Sequence, residues 1–159
     1  MEIRRIEIYR PVLEDLWFRQ SLLADEATMA YNAAWGGTIL FPREAWEEWY
    51  NRWLEVPETR RYYRYLYDAE RRRFVGEIAY RLDEERGVYL CDVIVLAKYR
   101  GQGFGTKGIE LICRAAKANG ATALYDDIAA DNPSWKLFLK NGFAIDHRSE
   151  GAVTVKRVL

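Results

Sequence analysis

The sequence predicts a mixed α/β fold, a sheet flanked by helices, on three observations. The first half contains short runs that alternate apolar and polar residues and end in charged turns, the pattern of antiparallel hairpins with a buried face. Between them lie stretches whose apolar residues recur every three to four positions, the spacing of a helix that buries one side. In the middle, an apolar strand (88–96) runs through a glycine-rich loop into a helix (106–119) and a further strand (123–130), a β-α-β unit.

Each element follows in order. Residues 2–9 place Ile3, Ile6 and Ile8 among charges, and Pro11 closes this first strand. Residues 12–24 set Leu13, Leu16, Trp17 and Leu23 at helical spacing. A short helix is expected over 25–34, where Asp25 caps, Glu26 complements the dipole and Gly36-Gly37 ends the element. Pro42 opens a third helix, 43–54, because its missing N–H is no loss in a first turn. There Trp46, Trp49, Tyr50 and Trp53 form a stripe at helical spacing, expected to pack on the sheet. Residues 60–67 and 74–82 pair as a hairpin through the polar turn 68–73, in which Arg71, Arg72 and Arg73 are read as solvated charge. The turn 83–87 leads into strand 88–96. Asn119-Gly120 stops the long helix, since glycine adopts the left-handed backbone of a helix end at no steric cost. Asp131-Asn132-Pro133 then turns the chain into a short helix, 134–140, closed by Asn141-Gly142, and 143–147 and 152–158 are the last strands.

Composition narrows the function. The 159 residues fit one domain, 1–159, that builds a core without metal or disulfide. Twenty-four basic and 24 acidic residues cancel, so neither nucleic acid nor membrane is expected as a partner held by bulk charge. No apolar run approaches the ~20 residues of a membrane span, and no leader pattern opens the chain, so a cytoplasmic protein is expected. Cys91 and Cys113 sit inside a strand and a helix and read as buried thiols. His147 is the sole histidine, so no metal is expected, and its polar surroundings read as an exposed strand end.

The loop Arg100-Gly101-Gln102-Gly103-Phe104-Gly105 carries the chemistry. Its glycines allow tight turns and close approach to a ligand, and the next helix presents amides without intrahelical partners at the positive end of its dipole. An anion is therefore expected there, with the Arg100 guanidinium beside it. Gly103, Gly105 and Gly108 satisfy the dinucleotide pattern GxGxxG, with Asp126 and Asp127 at the distance of a ribose contact. Context opposes it, because Ala97 to Gln102 separate strand from glycine and about ninety residues come before. Gly105-Thr106-Lys107 has the wrong order for a Walker loop.

A third reading is a resemblance. Arg100-x-x-Gly103-x-Gly105, preceded by Val93-x-Val95 and Tyr99, and followed by Asn132 and Gly142-Phe143, resembles the acetyl-CoA site of the GNAT N-acetyltransferase superfamily, with Ala97 where proline is common. The resemblance implies a mostly antiparallel sheet of about seven strands, split between the fourth and fifth, with four to five flanking helices. It implies that acetyl-CoA is the co-substrate, that its pyrophosphate rests on Arg100, Gly101, Gln102, Gly103, Phe104, Gly105 and Thr106, and that its arm pairs with Val93, Ile94 and Val95 and touches Asn132 and Phe138. An amine acceptor is the second partner, and a second copy of the chain, in a homodimer, is a further candidate. A non-catalytic CoA-binding or regulatory module on the same fold is the alternative.

Acyl transfer needs a neutral amine, and deprotonating a lysine-like amine at pH 7 costs about 4.6 kcal/mol. Glu77 and Asp92, then Asp127, are the candidate bases. Where this family often places a proton-donating tyrosine stands Phe138, which leaves the general acid unassigned; Ser134 or a tyrosine acting through water would serve. Asp25, Glu26, Tyr31, Trp35 and the Trp46–Trp53 stripe offer acids and aromatic walls suited to a cationic amine.

Overall fold

The computed structural model describes residues 5–159. One seven-stranded sheet, in the order β1-β2-β3-β4-β5-β7-β6, organises them. The strands are β1 (Ile6–Tyr9), β2 (Arg61–Asp68), β3 (Arg73–Asp83), β4 (Val88–Val95), β5 (Ala123–Ala129), β6 (Ala144–Ser149) and β7 (Ala152–Val158). All neighbours are antiparallel except β4 and β5. Five α-helices accompany them: α1 (Trp17–Ala24), α2 (Glu26–Met29), α3 (Trp46–Leu54), α4 (Phe104–Ala118) and α5 (Ser134–Lys140). The expected start of the first strand, Glu2 to Arg4 with Ile3, lies outside the described residues.

Helices cover both faces, which explains why β2 and β3 are buried on each side. On one face, Ile109, Ile112, Cys113 and Ala116 of α4 pack on Leu66, Val75 and Ile78. On the other, Leu16, Phe18, Leu22, Trp46 and Trp49 of the first helical layer pack on Tyr63, Tyr65 and Ala79. The tryptophan stripe of α3 is therefore core, as its spacing implies: Trp49 meets Tyr63 edge to face at 4.7 Å. Both cysteines are free and buried, and His147 is exposed on β6.

Some ends differ from expectation. The helix expected over 25–34 is α2 followed by a 3-10 turn, Ala30–Trp35, because Met29 leaves helical dihedrals at φ −90°, ψ 6°. Asp25 caps α2 as expected, its Oδ2 accepting the Thr28 N–H at 3.2 Å. Helix α4 starts at Phe104, two residues early, with Gly103 at its N-cap in the left-handed region.

Two glycines set how closely layers approach. At Gly108 a Cβ would lie 2.8 Å from Val93 Cγ1, so the third glycine of the apparent dinucleotide pattern seats α4 against β4 and touches no ligand loop. A Cβ at Gly76 would lie 2.3 Å from the Ile94 carbonyl oxygen, main chain that cannot swing aside. Gly76 sits where the β2 register shifts between Leu66 and Tyr67. Glycine-to-alanine changes usually stabilise by restricting the unfolded chain; Gly76→Ala is expected to destabilise instead, by ~1–3 kcal/mol through overpacking, measured as a lower urea midpoint.

Candidate active site

Strands β4 and β5 share a single pair of partners, Leu90 and Tyr125, and then diverge. Beyond Leu90, β4 keeps its ladder to β3 through Val95 but has none toward β5. An edge of this kind inside a protein presents N–H and C=O groups that need partners. A cavity of about 710 Å³ fills the gap. Val93, Ile94 and Val95 form one wall and Asp126, Ile128 and Ala129 the other, while Tyr31 and Trp35 of the 3-10 turn close one side.

The glycine loop forms the end of this cavity. After a 3-10 turn, Ala97–Tyr99, the extended Arg100 leads to Gly101 at φ 76° and Gly103 at φ 88°, a backbone that side chains rarely adopt. A Cβ at either glycine would meet nothing within 4 Å, so the space above both is open. Among the described residues no side chain caps α4, and the loop's bond into the helix is Lys107 N–H to Gly103 C=O at 3.1 Å. The amides of the first turn therefore aim along the helix axis, with the positive end of its dipole, at the cavity. Gly105 serves packing: a Cβ there would lie 2.9 Å from Leu137 Cδ2. Buried Thr28 ties the loop down twice, its hydroxyl accepting the Ala97 N–H and its carbonyl accepting Arg100 Nη2, both at 2.9 Å.

Asp92, Asp126 and Asp127 line the wall beyond, with Glu77 behind it, and their surroundings separate them. Asp92 is an exposed side chain in the cavity wall, and desolvation by the protein around it, with the nearby Glu77 charge, pushes it up to about 6. Burial first, then Asp92 and Asp127, raises Asp126 well above the usual carboxylate range. Partial burial works against the charge of Asp127, but two hydrogen bonds from Arg86, at 2.6 and 3.3 Å, and one from Thr154, at 2.7 Å, hold it below the usual value. Glu77 lies behind the cavity wall, 4% exposed, its two oxygens accepting bonds from Arg19 Nη1 at 2.9 and 2.7 Å and a third from the Tyr63 hydroxyl. The Arg19 guanidinium in turn stacks 4.3 Å from the Trp49 ring. Tyr31 is raised by burial and by the Asp92, Glu77 and Asp126 charges, so its hydroxyl keeps its proton.

The sequence profile of the acetyltransferase (GNAT) family matches residues 20–143, a span that holds the loop, both diverging strands and Asp92. The chain belongs to the GNAT acetyltransferase family. Solved GNAT structures share its fold. Spermidine N-acetyltransferase from Vibrio cholerae, in complex with CoA and spermine, aligns at TM-score 0.77 and 16% identity over 96% of this chain and 95% of its own. PaiA N-acetyltransferase from Thermoplasma acidophilum, in complex with coenzyme A, aligns at 0.72 and 14% over 98% and 99%. An acetyltransferase from Thermus thermophilus aligns at 0.72 and 21% over the full length of both chains. No curated protein sequence matches the chain. The co-substrate of this GNAT chain is acetyl-CoA.

The residues fit that co-substrate: an open space above two left-handed glycines, helix amides facing it, and an unpaired strand edge leading away. Val93, Ile94, Val95, Arg100, Gly101, Gly103, Phe104, Gly105, Thr106, Asn132 and Phe138 all line the cavity, whereas Gln102 stands outside its wall. Asn132 Oδ1 also accepts the N–H of Ser134, the first residue of α5, at 3.0 Å. Phe138 is buried edge to face against Phe143. Of the three candidate bases, Asp92 and Asp127 reach the cavity and Glu77 does not. Trp46, Trp49 and Trp53 also stay away from it. Sequence reasoning assigned Thr28 and Asp131 no functional role and offered Asp126 only as a ribose contact, because nothing local shows that these residues meet the loop or the gap.

Asp92 has a consequence for stability. Between its unfolded value near 3.8 and its folded value of about 6, the native state holds a proton that the unfolded chain has released. Its contribution to stability therefore falls as pH rises through that window. Asp92→Asn is expected to leave the melting temperature unchanged at pH 4 and to raise it at pH 7, checked by thermal unfolding at both values.

Proposed function

We propose that the chain is an N-acetyltransferase that moves the acetyl group of acetyl-CoA directly to a primary amine within a ternary complex. The observation that carries this is Asp92, a carboxylate poised near 6, in the wall of the same cavity whose far end is the amide-lined glycine loop. Acetyl-CoA supplies an acetyl group already activated as a thioester. The amides of Gly101 to Thr106, with Arg100, hold its pyrophosphate, and the open edge at Val93, Ile94 and Val95 pairs with its arm. An N–H of that edge is also placed to stabilise charge that develops on the thioester oxygen.

Asp92 takes the proton of the incoming amine. At pH 7 it is mostly ionised, yet it binds a proton more tightly than an ordinary aspartate at 3.8, which narrows the gap to an amine near 10.4. Asp126 lines the same cavity, and burial with the neighbouring Asp92 and Asp127 charges raises its affinity for a proton. Glu77, held in place by Arg19 and Tyr63, lies behind Asp92, and Asp127 is engaged by Arg86. Asp131 and the Tyr31 and Trp35 rings favour an alkylammonium acceptor over an anionic one. Phe138 donates no proton, and a thiol near 8.5 leaves as thiolate at pH 7 for about 2 kcal/mol, so no acid is required.

Release of free thiol from acetyl-CoA across a panel of amines tests this reading. Turnover with at least one primary amine is expected. Asp92→Asn is expected to lower kcat by ~10²-fold and to remove the acidic limb near pH 6 from the kcat/KM profile. A profile unchanged in that variant takes the base role from Asp92. Gly103→Trp fills the space above the loop and is expected to abolish CoA binding by calorimetry, with native far-ultraviolet dichroism as the folding control. CoA binding without thiol release for any amine identifies a non-catalytic CoA-binding module instead.

A further inference from the structure

We propose that a second cavity, across the Ala97–Tyr99 turn from the first, is a binding site for a planar aromatic anion. It measures about 700 Å³ and lies between α1, the β2–β3 turn and the residues that follow β4. Trp17, Phe74 and Tyr99 supply ring surface, and Arg72, Arg73 and Lys98 supply positive charge. Asp25 is the acidic side chain on this wall, and its Oδ2 already accepts from the Thr28 N–H and hydroxyl.

The aromatic surface is fixed but uncovered. Trp17 keeps 52% of its surface exposed while its ring stands 6.1 Å from Phe74 and 5.9 Å from Phe18, which hold its orientation. The cations lack partners to match. Arg73 and Lys98 both lie over the Tyr99 ring, at 4.0 and 5.1 Å, so two like charges share one ring. Among the described residues neither Arg72 nor Lys98 has a carboxylate partner. Arg73 Nε faces Asp68 Oδ2 at 3.6 Å, beyond hydrogen-bond length, and neither buried atom has a hydrogen-bond partner among the described residues. Asp68 also faces Arg71 at 3.7 Å.

Arg72 adds an independent observation. Among the described residues it alone, apart from glycines, has a left-handed backbone, at φ 51°. Gly87, Gly101 and Gly151 fill comparable positions elsewhere in the chain. Glycine would hold this turn with less strain, so the side chain is what the position uses. Flat ring surface beside unpaired guanidinium and ammonium groups selects a ligand that stacks and carries negative charge, an aryl carboxylate or aryl phosphate. A neutral ring would leave the cations unpaired, and a cation would be repelled. The aspartate-lined part of the first cavity, with Asp92, Asp126, Asp127 and Asp131 in its wall, has the opposite preference.

Calorimetry on the full chain with 1-naphthoate tests this site, with 1-naphthalenemethanol as the uncharged analogue, in the presence and absence of saturating CoA. A Kd on the order of 0.1 mM is expected for naphthoate, at least about tenfold weaker for the alcohol, and unchanged by CoA. The double variant R72G/K98A is expected to weaken naphthoate by at least about tenfold while CoA affinity stays within about twofold. Glycine suits the left-handed turn, so loss of binding in this variant is not a folding defect. No heat with naphthoate up to about 10 mM, equal affinity for the alcohol, full binding in R72G/K98A, or displacement by CoA each overturns the assignment.

Discussion

The parting of β4 and β5 is the constraint on which the rest of the structure depends. Two strands can separate inside a sheet only if each keeps a full ladder on its other side. Here β3 holds β4 to Val95 and β7 holds β5 to Ala129, both antiparallel. Separation leaves polar main chain facing a gap, and that gap is stable in a folded protein because a ligand or water satisfies it. Helix α4, seated against β4 through Gly108, fixes where the gap ends and aims its first turn there. The binding site is thus a by-product of how the sheet is paired, and side chains only refine it.

Charge is then sorted along the cavity. At one end, main-chain amides, a helix dipole and Arg100 favour an anion. At the other, carboxylates crowd until burial and mutual repulsion raise the proton affinity of two of them, Asp92 and Asp126. The Glu77–Arg19 pair behind the wall explains part of this gradient. With Tyr63 hydrogen-bonded to it and Trp49 stacked on its cation, the carboxylate is a fixed charge, and Asp92 responds to it. Thr28 extends the same logic to the loop, because its two bonds hold the glycine turn against α2. The GNAT family membership gives the gap and the loop a common co-substrate, acetyl-CoA.

Much of this was legible in the sequence, because the signals involved are local. Helix α5 and strand β7 occupy the expected residues, since Asn132-Pro133 and Gly142 punctuate one and alternation marks the other. Asn119-Gly120 ends α4 as its chemistry dictates, and the α3 tryptophans are core as their spacing implies. The glycine turn was visible for the same reason: Gly101 and Gly103, both with positive φ, and a following helix lie within a few residues of one another.

Tertiary structure alone decided what each acid does. Glu77 and Asp92 look alike in sequence, both acids inside apolar strands, but Glu77 meets an arginine 58 positions away and Asp92 meets the cavity. Asp126 and Asp127 are adjacent and both reach the cavity, but it is Asp127 that Arg86 and Thr154 hold. Strand order belongs with these, because the parallel β4–β5 contact brings together segments that the whole of α4 separates in the chain. Local geometry follows from neighbours along the backbone; protonation and partnership follow from neighbours in space, and those exist only once the sheet has formed.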